Sequence, residues 1–332
     1  MNTIKTGVLS YGFSGKIFQC PFIEAHDDFE LSAIVQRHGD SALQDYPNIT
    51  LYRDYERMLA DETIELIIVS TPAHLHFEHA KMALEHNKHV VIEKPFAATL
   101  EEAKALKALA ESKGKVAVAY QNRRFDGDFL TIQSLVNDPE IQVYEYEAVW
   151  DRFEPEIKDD WHEAGYLGAD LLFDLGPHYL DQALTLFGPP VGFHGTAKRL
   201  RPGSKIIDYF SIELNYPSTV VRLKSTLIAA HPDIRYKVHT SKGTYHFYEM
   251  GEQEHQLIAG ITPDQPDYGD NAYYDLYDFK GNKTSHQVVK GSYMTYFTQL
   301  AQAIRTGSKP PVTIDESIRL IGYLEEMRTH II

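Results

Sequence analysis

Lys94 is the side chain in this sequence best placed to do chemistry. It stands in Glu93-Lys94-Pro95, directly after the apolar run Val90-Val91-Ile92, which reads as a buried strand. Open α/β sheets bind their ligands at the carboxyl ends of parallel strands. An ammonium there is costly to bury idly and useful beside a reacting oxygen. Pro95 fixes the turn that follows and admits a cis peptide bond.

A second group lies farther along. Asp174, His178 and Asp181 recur at i, i+4 and i+7, which puts them on one helical face. Gly176-Pro177 fits only near a helix start, where backbone N–H groups have no intrahelical partners. The spacing therefore predicts a helix beginning close to Phe173–Gly176, with Leu175, Tyr179 and Leu186 on the buried side. An imidazole can take a hydroxyl proton and an ammonium can bond the oxygen that becomes negative. Lysine and histidine together suit hydride transfer on an alcohol, with Asp174 orienting His178 or binding an adjacent hydroxyl. A structural histidine beside solvated acids is the plainer reading of the helix, but it leaves Lys94 unexplained.

Hydride transfer needs a carrier, and the N-terminal segment offers a place for one. Ser10-Tyr11-Gly12-Phe13-Ser14-Gly15 links the first strand to the first helical pattern. The dinucleotide fingerprint is G-x-G-x-x-G. Here serine replaces the first glycine. Gly12 lets the backbone approach a pyrophosphate, and Gly15 lets strand and helix come close. The second strand ends at Val35 and is followed by Gln36-Arg37-His38, with no acid before Asp40. An acid at this place would bind the ribose diol, whereas arginine accommodates a 2′-phosphate. The expected cofactor is thus NADP in preference to NAD, with Arg37 as its phosphate partner.

The elements that must position these groups alternate in the first part of the chain. Ile4–Leu9, Glu30–Val35, Leu66–Thr71, His89–Glu93 and Val116–Tyr120 read as strands. Asp54–Ala60, Leu75–Asn87 and Thr99–Lys113 read as helices, the last opened by a Thr99/Glu102 capping box and closed by Gly114. This order implies a parallel, doubly wound sheet. Beyond about Tyr120 longer strand-like runs take over: Val143–Trp150, Phe210–Tyr216, Val220–Ile228, Arg235–His239 and Thr244–Tyr248. Pro217-Ser218 reads as a hairpin turn, residues 251–290 as loops, and Tyr293–Arg305 and Ile314–Thr329 as closing helices. The fold class is α/β plus α+β. Residues 1–120 form a cofactor domain, and residues 121–332 form a substrate and self-association domain with a mostly antiparallel open sheet.

Composition bounds the rest. A chain of 332 residues with 43% hydrophobic content supports a sizeable core. A formal net charge of -15 argues against nucleic-acid binding and a polybasic membrane patch. The single cysteine, Cys20, excludes an intrachain disulfide. No apolar run is long enough to span a bilayer and the N-terminus has no basic-then-apolar leader, so a cytoplasmic location is expected. His74, His76 and His79 with Glu78 lack a completing Cys or acid cluster, so no metal is expected.

The motifs resemble those of the glucose-fructose oxidoreductase/inositol dehydrogenase (Gfo/Idh/MocA) family over nearly the whole chain. They are the Ser10–Gly15 turn, Thr71-Pro72 with His76, Glu93-Lys94-Pro95, and Asp174-x-x-x-His178-x-x-Asp181. The stretches Asn122–Leu130, Asp170–Gln182 and Gly291-Ser292-Tyr293 look most like NADP-dependent scyllo-inositol dehydrogenases. The resemblance implies a Rossmann domain, then an α+β domain whose sheet makes a homo-dimer or homo-tetramer through its outer face. It implies Lys94, Asp174 and His178 as catalytic residues on an inositol-like polyol or sugar. Arg123 matches a substrate-side arginine, with Trp161 and Tyr236 in the pocket wall. The implied cofactor set is Ser10, Gly12, Phe13, Ser14, Gly15, Arg37, Thr71, Pro72, His76, Glu93, Lys94 and Asn122. Two other functions fit the same scaffold: a glycoside hydrolase using bound nicotinamide in a transient redox step, and a nucleotide- or sugar-sensing regulator without catalysis.

Overall fold

The structure is a computed structural model, which describes residues 2–159, 161–231, 233–248, 252–269 and 272–331. The chain forms two compact units. The first comprises Met1–Gln121, Glu254–Tyr268 and Tyr293–Gly322, and the second Asn122–Gln253, Gly269–Ser292 and Tyr323–Ile332.

The first unit is built on strands β1 (Ile4–Val8), β2 (Phe29–Val35), β3 (Thr50–Tyr52), β4 (Leu66–Val69), β5 (His89–Ile92) and β6 (Ala117–Ala119). They pair in the order β3-β2-β1-β4-β5-β6, all parallel. The order reverses between β1 and β4, the point where such sheets take a dinucleotide. β4 is buried along its whole length and β5 except at His89, as expected of strands covered by helices on both faces. The helix Leu100–Lys113 starts with the full Thr99/Glu102 capping box and stops at Gly114, whose φ of 60° suits glycine. The first helix has a different entry. A π-helical turn covers Gly15–Gln19 before the α-helix Cys20–Ala25. Pro21 has no N–H to return to the preceding turn, and the wider turn absorbs that loss. The helix Met294–Thr306 belongs to this unit: Phe297 stacks on Phe22 at 5.2 Å and Tyr296 Oη donates to the Ala119 carbonyl at 2.9 Å.

The second unit carries an eight-stranded sheet of β7 (Val143–Asp151), β8 (Gly192–Lys198), β9 (Tyr209–Asn215), β10 (Val220–Thr226), β11 (Tyr236–Thr240), β12 (Gly243–Phe247), β13 (Tyr273–Tyr277) and β14 (Lys283–Gln287). The order is β14-β13-β12-β11-β7-β10-β9-β8. Only β7 and β10 are parallel; the other pairs are antiparallel. The Pro217-Ser218 hairpin joins β9 to β10, with Asn215 opposite Val220. Residues 251–290 differ from the expected loops. Among those described, they form the helix Gln253–Ile258 and strands β13 and β14. The polar edge strand Lys-Thr-Ser-His-Gln is exposed throughout and has no apolar alternation to announce it. Some of the sheet's aromatic residues are buried and others, Tyr144 and Tyr273 among them, are exposed. Tyr146, Phe210, Tyr236 and Phe247 are buried in the unit's core, whereas Glu213, Arg222, Glu145, Glu147 and Lys237 form ion pairs across β9, β10, β7 and β11.

Candidate active site

In the first unit, polar side chains fasten the strand-end turns to one another. A Cβ at Gly15 would lie 2.0 Å from the Ser10 carbonyl oxygen, so only glycine permits this crossing of turn and helix. Ser70 Oγ donates to that same carbonyl at 3.0 Å. Glu93, buried at the end of β5, accepts from Ser14 Oγ, from Gln19 Nε2 at 2.7 Å and from the Lys94 amide at 3.2 Å. Burial pushes its carboxyl pKa up, while these donors act against the rise. Glu93 thus ties the Ser10–Gly15 turn to the lysine turn.

His76 does the corresponding work on the other side. Its Nε2 lies 2.8 Å from the Thr71 carbonyl and its Nδ1 2.7 Å from the Pro95 carbonyl. Two carbonyl partners on their own favour an imidazolium. Burial outweighs them and, helped by the Lys94 charge, brings the pKa down to about 4. The neutral ring has one N–H, which serves one carbonyl at a time. Thr71 Oγ1 sits 3.0 Å from His79 Nδ1, and Pro72 leads into the short 3-10 turn Ala73–Leu75. The Lys94–Pro95 bond is cis.

Arg37 lies exposed just past the end of β2. Its Nη2 donates to Tyr55 Oη at 2.5 Å and its guanidinium lies 5.3 Å from that ring's centre. Among the described residues it makes no ion pair, while Asp40 is engaged by Arg53. A positive charge without a carboxylate at this position fits a phosphate, and the glycine crossing with its serine-lined turn fits a dinucleotide.

In the second unit the helix arrives in two pieces. Asp170 caps the short helix Leu171–Asp174 by accepting from the Phe173 amide at 3.1 Å, and Arg328 Nη2 donates to it at 2.7 Å. The helix Gly176–Phe187 then starts with Pro177 in its first turn. Asp174 consequently stands on the piece before His178. Asp181 is buried, and both its oxygens accept from Arg124, at 2.6 and 2.7 Å. His178 is only 5% exposed, and its ring centre is 5.9 Å from that of Trp150, near the end of β7.

Trp150 organises this region and was not singled out from sequence. Arg123, Arg152 and Arg235 lie 5.2, 5.1 and 4.1 Å from its ring centre. Arg123 pairs with Asp126 at 3.3 Å. Arg235 is buried, donates to the Val149 carbonyl at 3.1 Å and to Tyr179 Oη at 2.6 Å, and makes no ion pair among the described residues. Tyr236 is buried, with its hydroxyl on Gln182 at 3.0 Å. Trp161 stacks on His162 at 3.6 Å. Asn122 opens the buried 3-10 turn Asn122–Phe125. Beside Asp174 is a cavity of about 170 Å³ lined by Arg152, Glu154, Lys158 and His162 among others. The signal that could have found Arg152 is its place just after a strand whose end carries a tryptophan. No cluster of metal-binding side chains occurs among the described residues, nor any helix long and apolar enough to cross a membrane.

Comparison with known proteins adds an independent line. Residues 4–121 match a model described as an oxidoreductase family with an NAD-binding Rossmann fold. Residues 129–246 match the GFO/IDH/MocA C-terminal domain. The chain is 36% identical to the oxidoreductase YdgJ of Escherichia coli (strain K12), over 98% of this chain and 95% of that protein. It is 34% identical to the scyllo-inositol 2-dehydrogenase (NADP(+)) IolW of Bacillus subtilis (strain 168), over 98% and 93%. The solved structure of the oxidoreductase yvaA from Bacillus subtilis superposes with a TM-score of 0.93 at 33% identity, covering 99% of this chain and 96% of that one.

Proposed function

The chain belongs to the GFO/IDH/MocA family of oxidoreductases, and from that premise we propose that it transfers a hydride between NADP and a hydroxyl or ketone carbon of an inositol-like polyol or sugar. The observation that carries this reading is the mounting of Lys94. Glu93 on one side and His76 on the other tie its turn to the phosphate turn and to the end of β4. A lysine held this way is set to act on a ligand at the strand ends. The similarity to an NADP-dependent scyllo-inositol dehydrogenase supports the substrate class and the cofactor.

Bound nicotinamide would supply the hydride acceptor in oxidation and the donor in reduction. Residues Ser10 to Gly15 would hold its pyrophosphate, and Arg37 the 2′-phosphate. In oxidation His178 takes the hydroxyl proton as general base. Lys94 donates a hydrogen bond to the oxygen as it becomes an alkoxide. Asp174 positions His178 or accepts from a neighbouring hydroxyl. Reduction reverses each proton movement. The functional division is residues 1–120 for cofactor and 121–332 for substrate. Assembly as a homo-dimer or homo-tetramer through the second sheet, in the cytoplasm, completes the proposal.

The test is turnover on a polyol panel with Lys94→Ala and His178→Ala. Each variant should lose about 100-fold or more in kcat while binding NADPH, and binding it more tightly than NADH, by nicotinamide fluorescence. Near-normal turnover removes that residue from the scheme. Products formed without net NADPH change would point to the hydrolase, and NADPH binding without any turnover to the sensor.

A further inference from the structure

The cavity beside Asp174 is lined by charged groups that largely neutralise one another. Arg152 Nη1 lies 3.8 Å from Asp174 Oδ2 and 3.9 Å from Glu154 Oε1. Both are ion-pair distances, and both are too long for hydrogen bonds. Among the described residues the Arg152 guanidinium makes no hydrogen bond at all, although it carries five N–H donors. Its stem is fixed all the same: the Arg152 amide donates to the Thr226 carbonyl at 2.8 Å, and the guanidinium rests against the Trp150 ring. Lys158, also on the lining, is tied to Glu154.

This combination selects a kind of ligand. With two carboxylates beside it, the charge of Arg152 offers an anion little net attraction. Its donors remain unspent, and they form a planar fork that matches two acceptors side by side. Glu154 and Asp174 in turn are carboxylates able to accept from hydroxyl groups. Resting on the polyol reading above, we propose that Arg152 is the specificity-determining residue of the substrate site. It reads two adjacent hydroxyls of an uncharged polyol and favours that polyol over the same skeleton bearing a carboxylate or phosphate.

The experiment is steady-state kinetics of the full-length protein with NADP, using a neutral cyclic polyol, its deoxy analogue lacking one hydroxyl of the adjacent pair, and its carboxylate and phosphate derivatives. Arg152→Ala should raise KM for the neutral polyol about 10- to 30-fold, as expected for two lost hydrogen bonds, and change kcat by less than about threefold. Arg152→Lys should recover little of the loss, because a point charge lacks the fork. The deoxy analogue should be the poorer substrate for the wild type and no poorer for Arg152→Ala. An unchanged KM in Arg152→Ala, full rescue by lysine, or a wild-type preference for the charged derivatives would overturn the inference and leave the polyol reading standing. A wild type that turns over none of the neutral polyols would overturn both.

Discussion

The two units of this protein use buried polar side chains in opposite ways. In the first, such side chains largely address the backbone. Lys88 donates to the carbonyls of Asp61 and Ile64 at 2.6 and 2.8 Å, His76 contacts those of Thr71 and Pro95, and Tyr120 donates to Phe18 at 2.9 Å. In the second, several charged side chains address each other, although buried Arg235 donates to a carbonyl and a tyrosine instead. Arg201 holds Glu163 at 2.7 Å and Asp208 at 3.1 Å, Arg124 holds Asp181, and Arg123 holds Asp126. The difference follows from what each unit must fix. A doubly wound parallel sheet presents a row of strand-end turns, and side chains bonded to backbone carbonyls set their shape. The second unit brings distant segments together around one tryptophan, and ion pairs specify which segments meet.

Breaking one of these pairs should produce the largest effect. Arg201 sits between two buried carboxylates and also donates to the carbonyls of Glu154 and Glu156. Arg201→Ala leaves Glu163 and Asp208 without their cation, which should cost about 3–5 kcal/mol. Chemical denaturation would measure it, with NADPH affinity as the control in the other unit. A loss under about 1 kcal/mol would mean that these pairs are no more than surface-like, and the contrast between the units would go.

The same contrast explains what was legible beforehand. The Ser10–Gly15 turn, Glu93-Lys94-Pro95 and the Thr99 cap each span only a few residues, so their chemistry is written in short motifs. Arg124 and Asp181 are 57 residues apart and Arg201 and Glu163 are 38 apart, so spacing gives no sign of either pair. Asp181 therefore read as a member of the His178 face, although its carboxylate is taken by Arg124. Trp150 and Arg152 escaped notice because their neighbours Arg235, His178 and Asp174 are distant in the sequence. Strands with apolar or alternating patterns were recognised to within a residue or two. β3, β8, β13 and β14 were not: β3 is three residues long, β8 buries only Ala197, β13 buries an aspartate in its middle, and β14 is polar throughout.

A smaller effect should appear in the second unit's response to pH. Asp128 is buried, and burial followed by the neighbouring Asp126 pushes its pKa up to about 7. One of its oxygens accepts from the Phe129 amide at 2.6 Å, and the other has no partner among the described residues. From its ordinary value up to about 7 the unfolded chain gives up this proton while the folded chain keeps it. Stability therefore falls as pH rises through that window. Asp128→Asn should melt higher than the wild type at pH 8, by about 3 °C or more, and nearly alike at pH 4. A variant less stable at pH 8 would show that the carboxylate is ionised there and serves Arg235.

The smallest effect should have the opposite sign and lie in the first unit. His89 accepts at Nδ1 from the Val116 amide at 3.0 Å, and burial, reinforced by Lys115, brings its pKa down to about 4. Between its ordinary value and about 4 the unfolded chain takes up a proton that the folded chain refuses. Stability is therefore lost as pH falls through this range. His76 and His79 act in the same direction, so no single replacement removes the whole slope. His89→Asn keeps an acceptor near the Val116 amide and has no proton to gain. Its melting temperature should match the wild type within about 2 °C at pH 7.5 and decline less steeply between pH 6.5 and 4. An unaltered acid slope would take His89 out of the account and leave His76 and His79 to explain it. A steeper slope would mean that the imidazole is charged in the folded protein, and burial would then not govern its titration.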